Sequence, residues 1–188
     1  MKRPIVSRPQ LVALVHIVAL STACAGAPPQ PSASGASIDE AAPYPFTASE
    51  IRAGCPLGRV IDYRIEKVGA PARSERWAFA PVGEDSVTIT TTPLDAQGNA
   101  TGVPETQTSK WTELHEHAHF PRPATKVSEE SLTVPAGTFA VLRYVITKED
   151  DVKTVWFAKN LPGPPVKVEA THSGQTVMTM TMQANRMP

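Results

Sequence analysis

The chain has 188 residues, of which 41% are hydrophobic, and it carries 18 basic and 18 acidic side chains. This length is enough for one domain with a substantial core. The balanced charge, without a run of Lys and Arg, argues against a nucleic-acid-binding protein, which needs clustered positive charge. The sequence also contains neither a glycine-rich phosphate loop nor a G-x-S-x-G nucleophile elbow.

Residues 1–23 have the pattern of a bacterial export signal. Three basic residues within the first eight precede an apolar run from Leu11 to Leu20, as the n-region and h-region of a signal peptide do. The run is shorter than the roughly 20 residues that a membrane-spanning helix needs. Removal of this segment would leave 15 basic and 18 acidic side chains, a net charge of about −3 at neutral pH.

The end of this segment, LSTAC, resembles a lipobox, the site at which bacterial lipoprotein precursors are acylated on cysteine and cleaved before it. Ala23 and Cys24 fit its two most constrained positions, whereas Ser21 stands where leucine is usual. An ordinary cleavage site is the alternative, because ACA and AGA both fit the A-x-A pattern. The resemblance implies that Cys24 is lipidated and anchors the chain to a membrane. The absence of Asp at position 25 favours the outer membrane by the common sorting rule.

Residues 24–46 are rich in Pro, Ala, Ser and Gly, and this composition predicts a tether after the lipidated Cys24. Residues 47–188 are predicted to form a single β-rich periplasmic domain. If Cys24 is acylated, Cys55 has no partner for a disulfide within the chain. We therefore expect Cys55 to pack as a small hydrophobic residue, with a reactive or intermolecular thiol as the alternative.

Alternating apolar and polar residues dominate the predicted domain after a short helical turn at TASEIRAG. Ile61, Tyr63 and Ile65 share one face of a predicted strand, and Trp77 and Phe79 share a face of the next. Further predicted strands are DSVTITTTPLD, the two runs on either side of Pro-Ala-Gly in SLTVPAGTFAVLRYVIT, VKTVWFA, VKVEATH and TVMTMTMQ, with a hairpin turn at SGQ.

These elements predict a mainly β fold. No βαβ pattern occurs, so the sheet should be antiparallel. We expect a curved antiparallel sheet or a partly closed barrel of about eight strands, with one or two short helical turns, because an open sheet of this size must protect its edges.

The segment HEHAH contains the letters of a zinc-protease motif, with His115, Glu116 and His119 in the required spacing. In such proteases a long helix carries both histidines, whereas Pro121 and Pro123 would end a helix here. A second metal hypothesis places the segment on a strand, where His115, His117 and His119 would share a face and could chelate a transition metal. The favoured interpretation is a short turn or helix with buried anchors at Trp111, Leu114, Ala118 and Phe120.

Met178, Met180 and Met182 would share one face of the last strand. Three thioethers could bind Cu(I), but a methionine stripe is more typical of a core. Because methionine is flexible, such a stripe would suit a cavity for flexible apolar ligands.

The segments LTVPAGTFAVLRYVI and VWFAKNLPGPPVKVEATHSGQTVMTM resemble a group of uncharacterised bacterial periplasmic lipoproteins. The wider likeness is to the lipoprotein-carrier half-barrels of the Lol type, which are curved sheets with an apolar concave face. The resemblance implies structural roles for a turn and a break in pairing, and no catalytic residue. The turn comprises Pro135, Ala136, Gly137, Thr138 and Phe139, and the break comprises Pro162, Gly163, Pro164 and Pro165.

The sequence therefore predicts a non-enzymatic lipoprotein of the cell envelope that faces the periplasm. Its expected partners are the membrane, through acyl chains on Cys24, and either an apolar small ligand or an envelope protein. No cofactor is expected. One alternative is a metal-binding or metal-dependent hydrolytic protein that uses His115, His117 and His119. Another is a structural role in the envelope without any ligand.

Overall fold

The computed structural model of the chain describes residues 40–188. The predicted signal peptide, Cys24 and most of the predicted tether lie outside the described residues. The elements are α1 (Ala48–Gly54), β1 (Val60–Lys67), β2 (Arg73–Val82), β3 (Ser86–Leu94), β4 (Glu105–Lys110), α2 (Trp111–Glu116), a 3-10 turn (Arg122–Ala124), β5 (Thr125–Val134), β6 (Gly137–Lys148), β7 (Asp151–Ala158), β8 (Lys167–His172) and β9 (Gln175–Arg186).

All nine strands belong to one antiparallel sheet in the order β4-β3-β2-β1-β9-β8-β7-β6-β5. The sheet is curved and does not close, because the edge strands β4 and β5 each pair on one side only. The prediction of a mainly β fold with a curved antiparallel sheet and short helices is confirmed.

The ninth strand is β4, which the alternation pattern does not reveal. Its sequence, ETQTSK, has no apolar side chain, and only Ser109 is buried. An edge strand needs few apolar residues because one of its sides has no neighbouring strand. Pairing with β3 over Ser86–Thr91 holds it in the sheet.

The connection from β4 to β5 crosses one face of the sheet. These strands are consecutive in sequence but lie at opposite edges, so residues 111–124 must span the distance between the edges. This connection includes α2, whose first residue Trp111 is buried, and Ala118 and Phe120 are buried after it. Leu114 packs against the same core. The predicted anchors of this segment are therefore in place.

The core lies between the two helices and one face of the sheet, which is called here the inner face. Alternate residues of each strand point to it, as the period of a strand requires. On the two central strands these residues are Ile61, Tyr63 and Met182, all fully buried. The helix α1 adds Ile51, and it starts with a capping box between Thr47 and Glu50.

Two predicted turns close hairpins as the sequence indicates. Pro135 and Ala136 join β5 to β6, and Gly137 follows with a φ of 139°, a value that side-chain-bearing residues rarely adopt. Ser173 and Gly174 join β8 to β9 with φ values of 49° and 76°. Positive φ at both positions is the property of the type I′ turn that fits the twist of a hairpin.

The composition places the start of the folded domain at residue 47, but packed residues occur before this position. Ala42 and Phe46 are buried, and Ala41 pairs with Pro121 as an isolated bridge. The hydroxyl of Tyr144 donates a hydrogen bond of 2.8 Å to the carbonyl of Pro43. Residues 40–46 are therefore part of the domain, although their Pro- and Ala-rich composition is typical of a tether.

No helix within residues 40–188 is long and apolar enough to cross a bilayer.

Asp62 joins three strands on the outer face of the sheet. It accepts two hydrogen bonds from Arg76 of β2, at 2.8 and 3.1 Å, and one from Arg186 of β9 at 2.8 Å. Burial by itself raises the pKa of the Asp62 carboxyl, but the hydrogen bonds and charges of the two arginines outweigh it and hold that pKa below its usual range.

We expect Asp62→Asn to lower the free energy of unfolding at pH 7 by about 1 kcal/mol, a modest value because both arginines are partly exposed. Because the pKa of Asp62 is lower in the folded state, its carboxylate stabilises the protein at pH values above the unfolded-state pKa of roughly 3.9. This contribution is lost as the pH falls through the folded-state pKa. Urea unfolding of both proteins from pH 7 to pH 3 should show the difference narrowing below about pH 4. A difference that is constant over this range would contradict the prediction.

Gly54 lets α1 approach the chain between β7 and β8. A Cβ atom at this position would overlap the carbonyl oxygen of Pro162. Gly54→Ala should therefore destabilise the domain by about 1–3 kcal/mol through overpacking, although alanine is favoured over glycine by about 1 kcal/mol inside a helix. Thermal unfolding measures the effect. Gly102→Ala is the matched control, because its Cβ would meet only Pro93 at 3.4 Å, and an equal loss in both variants would contradict the argument.

Candidate ligand-binding site

The inner face of the sheet and the two helices enclose a cavity of about 260 Å³. Its wall is apolar apart from three side chains, His115, His117 and Lys153. The remaining lining residues are Pro45, Phe46, Ile51, Cys55, Trp77, Phe79, Ile89, Leu114, Ala118, Phe120, Val155, Phe157, Gly163, Pro164, Pro165, Val168 and Met180. A concave, mainly apolar space with a few polar groups is typical of a small-molecule site.

Exposed residues mark where the cavity reaches the surface. His117 and Lys153 both line it and are both exposed. Other side chains of the lining, among them Phe79, Val155 and Phe157, are buried. The site is therefore apolar inside and carries ionisable nitrogen groups at its mouth.

The break between β7 and β8 forms part of this wall. Gly163, Pro164 and Pro165 line the cavity, which adds to the structural role that the resemblance implies for them. The φ of Gly163 is 121°, and a Cβ there would lie only 2.8 Å from the Cys55 sulfur. The Tyr63 hydroxyl donates a hydrogen bond of 2.8 Å to the carbonyl of Pro165. Glycine and a buried tyrosine thus hold the break against the inner face.

Arg59 holds the segments behind this wall together. Its side chain is fully buried, and its Nη1 donates to the carbonyls of Gly54 at 2.6 Å and of Pro162 at 2.9 Å. Its Nε donates to the Asn185 side chain at 3.0 Å. Within residues 40–188 no carboxylate forms an ion pair with this guanidinium, and its Nη2 has no hydrogen-bond partner. Carbonyl dipoles therefore take the place of a counter-ion, and α1, the break and β9 are tied to one point.

Cys55 is the thiol at this wall. It is fully buried and not part of a disulfide. Burial raises the pKa of the Cys55 thiol, and this effect outweighs the opposite influence of the Arg59 charge. A protonated, enclosed thiol is a poor nucleophile. This environment fits the expectation that Cys55 packs as a small hydrophobic residue.

The three histidines of HEHAH do not converge on one point. The ring of His115 stacks on Tyr44 with centroids 4.0 Å apart. His119 Nδ1 lies 2.9 Å from the Tyr44 hydroxyl, and His117 is exposed at the cavity mouth. The segment is a helix end rather than a strand, so the geometry behind the strand-based metal hypothesis is wrong. No group of three His, Cys, Asp or Glu within the described part of the chain is arranged to hold a metal ion.

Tyr44 and Glu116 give this cluster a structural function. The Tyr44 hydroxyl donates a hydrogen bond of 3.0 Å to Glu116, and this bond is the main reason why the pKa of the Glu116 carboxyl is below its usual range. His115 Nδ1 lies 3.2 Å from the same carboxylate. These contacts join residues 40–46 to α2. The connection of residues 111–124, to which α2 belongs, is called here the cover of the cavity.

The methionine stripe is divided between core and cavity. Met182 is fully buried, and Met178 and Met180 pack partly buried against the core. Of the three, Met180 lines the cavity. The flexible thioether therefore lies where the sequence argument places an adaptable apolar wall.

Sequence reasoning missed several residues of the site. Arg59 stands in a loop, where an arginine is expected to be solvated. Tyr44 lies in a segment whose composition is typical of a tether. Neither has a local signal, because their partners Pro162 and Glu116 are distant in sequence. The cavity itself follows from the path of the chain across the sheet, which a single sequence does not specify.

No protein-family model and no curated protein sequence matches the chain. Solved structures do resemble it in fold. MucB in complex with MucA(peri) matches with a TM-score of 0.52 at 11% identity, over 74% of this chain and 53% of that chain. The chain thus spans about half the length of MucB. This likeness shows a shared fold.

Two weaker matches cover most of their own chains. A protein described as exported, with a YmcC-like fold, from Bacteroides fragilis has a TM-score of 0.44 at 10% identity, over 69% of this chain and 96% of that one. A domain described as outer membrane lipoprotein-sorting, from Vibrio parahaemolyticus, has a TM-score of 0.27 at 12% identity, over 74% and 89%.

Thiol labelling tests the enclosure of Cys55. In the full chain carrying Cys24→Ser, Cys55 is the remaining thiol. We expect it to react with a thiol reagent at least about 100-fold more slowly in the native protein than in urea, because labelling requires an opening that costs roughly 3 kcal/mol. The control chain carries Cys24→Ser, Cys55→Ser and Ser128→Cys, which places a thiol on the exposed side of β5. Equal native rates for Cys55 and this control would contradict the enclosure.

Proposed function

We propose that this chain is a lipid-anchored protein of the cell envelope that binds an apolar ligand without chemical conversion. Acyl chains on Cys24 would hold it to the outer membrane, with the domain facing the periplasm. The observation that carries the proposal is the apolar cavity between the inner face of the sheet and the helices.

The chemistry of the cavity favours an alkyl or similar chain. Burial of apolar surface contributes roughly 25 cal/mol per Å², and an apolar cavity of roughly 150 Å³ is already enough to bind benzene. The cavity here has about 260 Å³ and a soft wall at Met180. Because His117 and Lys153 lie at the mouth, the polar end of a ligand would remain near the surface.

The lining favours binding over catalysis. Cys55 is the single thiol or hydroxyl side chain of the wall within the described residues. Its pKa is raised by burial, and its charged neighbour is Arg59, which cannot act as a general base. A nucleophile activated by an adjacent base would need a different arrangement.

An envelope protein is the second candidate ligand. Strand β5 presents ten residues along a free edge of the sheet, and most of them are exposed. A free edge can accept an extended peptide as an additional strand. MucB, whose fold is similar, has been solved in complex with MucA(peri). The charged side chains of β5, among them Lys126 and Glu129, would then select the partner.

Matched substitutions on β9 test the proposed function. Met180 lines the cavity, whereas Met178, two residues away on the same face, packs against the core without lining it. Met180→Trp should fill part of the cavity with the larger indole and abolish ligand binding, and Met178→Trp should retain it. Each change should cost about 1–3 kcal/mol of stability through overpacking, so thermal unfolding provides the control for folding.

The measurement is a pair of mass spectra, native and denaturing, of the full chain carrying Cys24→Ser and produced in a bacterial periplasm. An added mass that disappears on denaturation and is absent from Met180→Trp would support the proposal. A bare polypeptide mass, or equal loss in both tryptophan variants, would contradict it. An added mass of one transition metal that is lost after His→Ala changes at positions 115, 117 and 119 would support the metal alternative instead.

A further inference from the structure

A second concave region, called here the edge groove, lies beside the cavity at the β4 edge of the sheet. Its volume is about 500 Å³, and it is formed by β2, β3, β4 and α2. The residues Trp77, Ile89, Leu114 and His117 line both the edge groove and the cavity. The two spaces are therefore neighbours that meet at these four side chains.

The edge groove differs from the cavity in its chemistry. Strand pairing places Glu105 opposite Thr91, Gln107 opposite Ile89, and Ser109 opposite Val87. These residues share the inner face of the sheet with Trp77. The inner face thus changes from apolar at its centre to hydroxyl- and amide-bearing at β4, and the aromatic ring of Trp77 stands at the boundary.

The groups of the edge groove are available to a ligand. The Gln107 amide donates one hydrogen bond of 3.3 Å to the Ser109 hydroxyl, and among the described contacts its carbonyl oxygen accepts none. Thr91 is half-buried and Gln107 is exposed. A hydroxyl or amide can both donate and accept, so these side chains fit a group that carries several hydroxyls.

The charge of the edge groove selects against anions. Glu105 is the single charged residue among those that line it, apart from the titratable His117, and neither lysine nor arginine lines it. A phosphate or sulfate placed there would face a carboxylate without a compensating cation. A neutral polyhydroxylated group would keep its hydrogen bonds and could lay one face on Trp77.

We infer that the ligand is an amphiphile whose apolar chain occupies the cavity and whose neutral, sugar-like head group occupies the edge groove. The inference rests on the proposed function, because it adds a head-group site to the cavity. The cavity alone would accept any alkyl chain of suitable length. The edge groove supplies the selectivity for the head group.

Titration calorimetry with four probes tests the inference on the full chain carrying Cys24→Ser. The probes are octyl glucoside, octyl sulfate, 1-octanol and free glucose, each below its critical micelle concentration or solubility limit. Octyl glucoside should bind about tenfold more tightly than 1-octanol, as one or two net hydrogen bonds allow. Octyl sulfate should bind no more tightly than 1-octanol, and free glucose should bind at least tenfold more weakly than octyl glucoside.

Two substitutions assign the head-group site. Thr91→Val and Gln107→Met keep the size of each side chain and remove its hydrogen-bonding group. Together they should abolish the advantage of octyl glucoside over 1-octanol while the affinity for 1-octanol changes less than twofold. Thr108→Val is the control, because Thr108 bonds to Thr88 on the outer face and should leave all affinities unchanged. Should the double variant unfold, Thr91→Val alone should lower the advantage at least threefold.

The outcomes separate the two proposals. Binding of 1-octanol without an advantage for octyl glucoside would overturn the head-group site and leave the apolar cavity in place. Preference for octyl sulfate over octyl glucoside would overturn it as well. The absence of binding by every octyl compound would contradict the proposed function itself.

Discussion

The path of the chain between β4 and β5 determines the rest of the structure. These strands follow each other in sequence, yet each forms one edge of the nine-stranded sheet. The connection of residues 111–124 therefore has to cross the inner face, and it buries Trp111, Ala118 and Phe120 on the way. A sheet of this curvature with a helix laid across it leaves a space that the side chains do not fill. The cavity is a consequence of topology, and the apolar side chains of both layers line it.

Much of the fold follows from local sequence. Alternation of apolar residues predicts the buried strands, since Ile61, Tyr63 and Phe79 each point to the core. The turns at Gly137 and at Ser173 follow from residues that tolerate positive φ. Strand β4 was not predicted because its free edge demands no apolar side chain. The composition places the start of the domain at residue 47, whereas Tyr44 packs against a residue more than 70 positions away, and such contacts leave no periodic signal.

The site is harder to predict than the fold, and the histidines illustrate why. Their spacing in HEHAH invites a metal hypothesis, but the ends of the segment are fixed by apolar anchors, and the imidazoles contact Tyr44 and Glu116 or lie at the mouth of the cavity. Arg59 shows the opposite case. Nothing local distinguishes it from a surface arginine, whereas in the fold it is enclosed by the carbonyls of Gly54 and Pro162. Residue type indicates chemistry only when the surroundings are known.

The attachment of residues 40–44 has a mechanical consequence. Ala42 donates a hydrogen bond to the Phe120 carbonyl, Arg122 donates one to the Glu40 carbonyl, and Tyr44 bonds to Glu116 at the end of α2. The first contacts of the described chain, at Glu40 and Ala42, are thus with the connection that covers the cavity, and the contact of Pro43 with Tyr144 of the sheet follows them along the chain. A pull along that chain would act first on the cover, while the hydrogen-bonded ladder of the sheet would bear the force only afterwards. The position of the attachment therefore couples tension in the leading segment to the part of the domain that encloses the cavity.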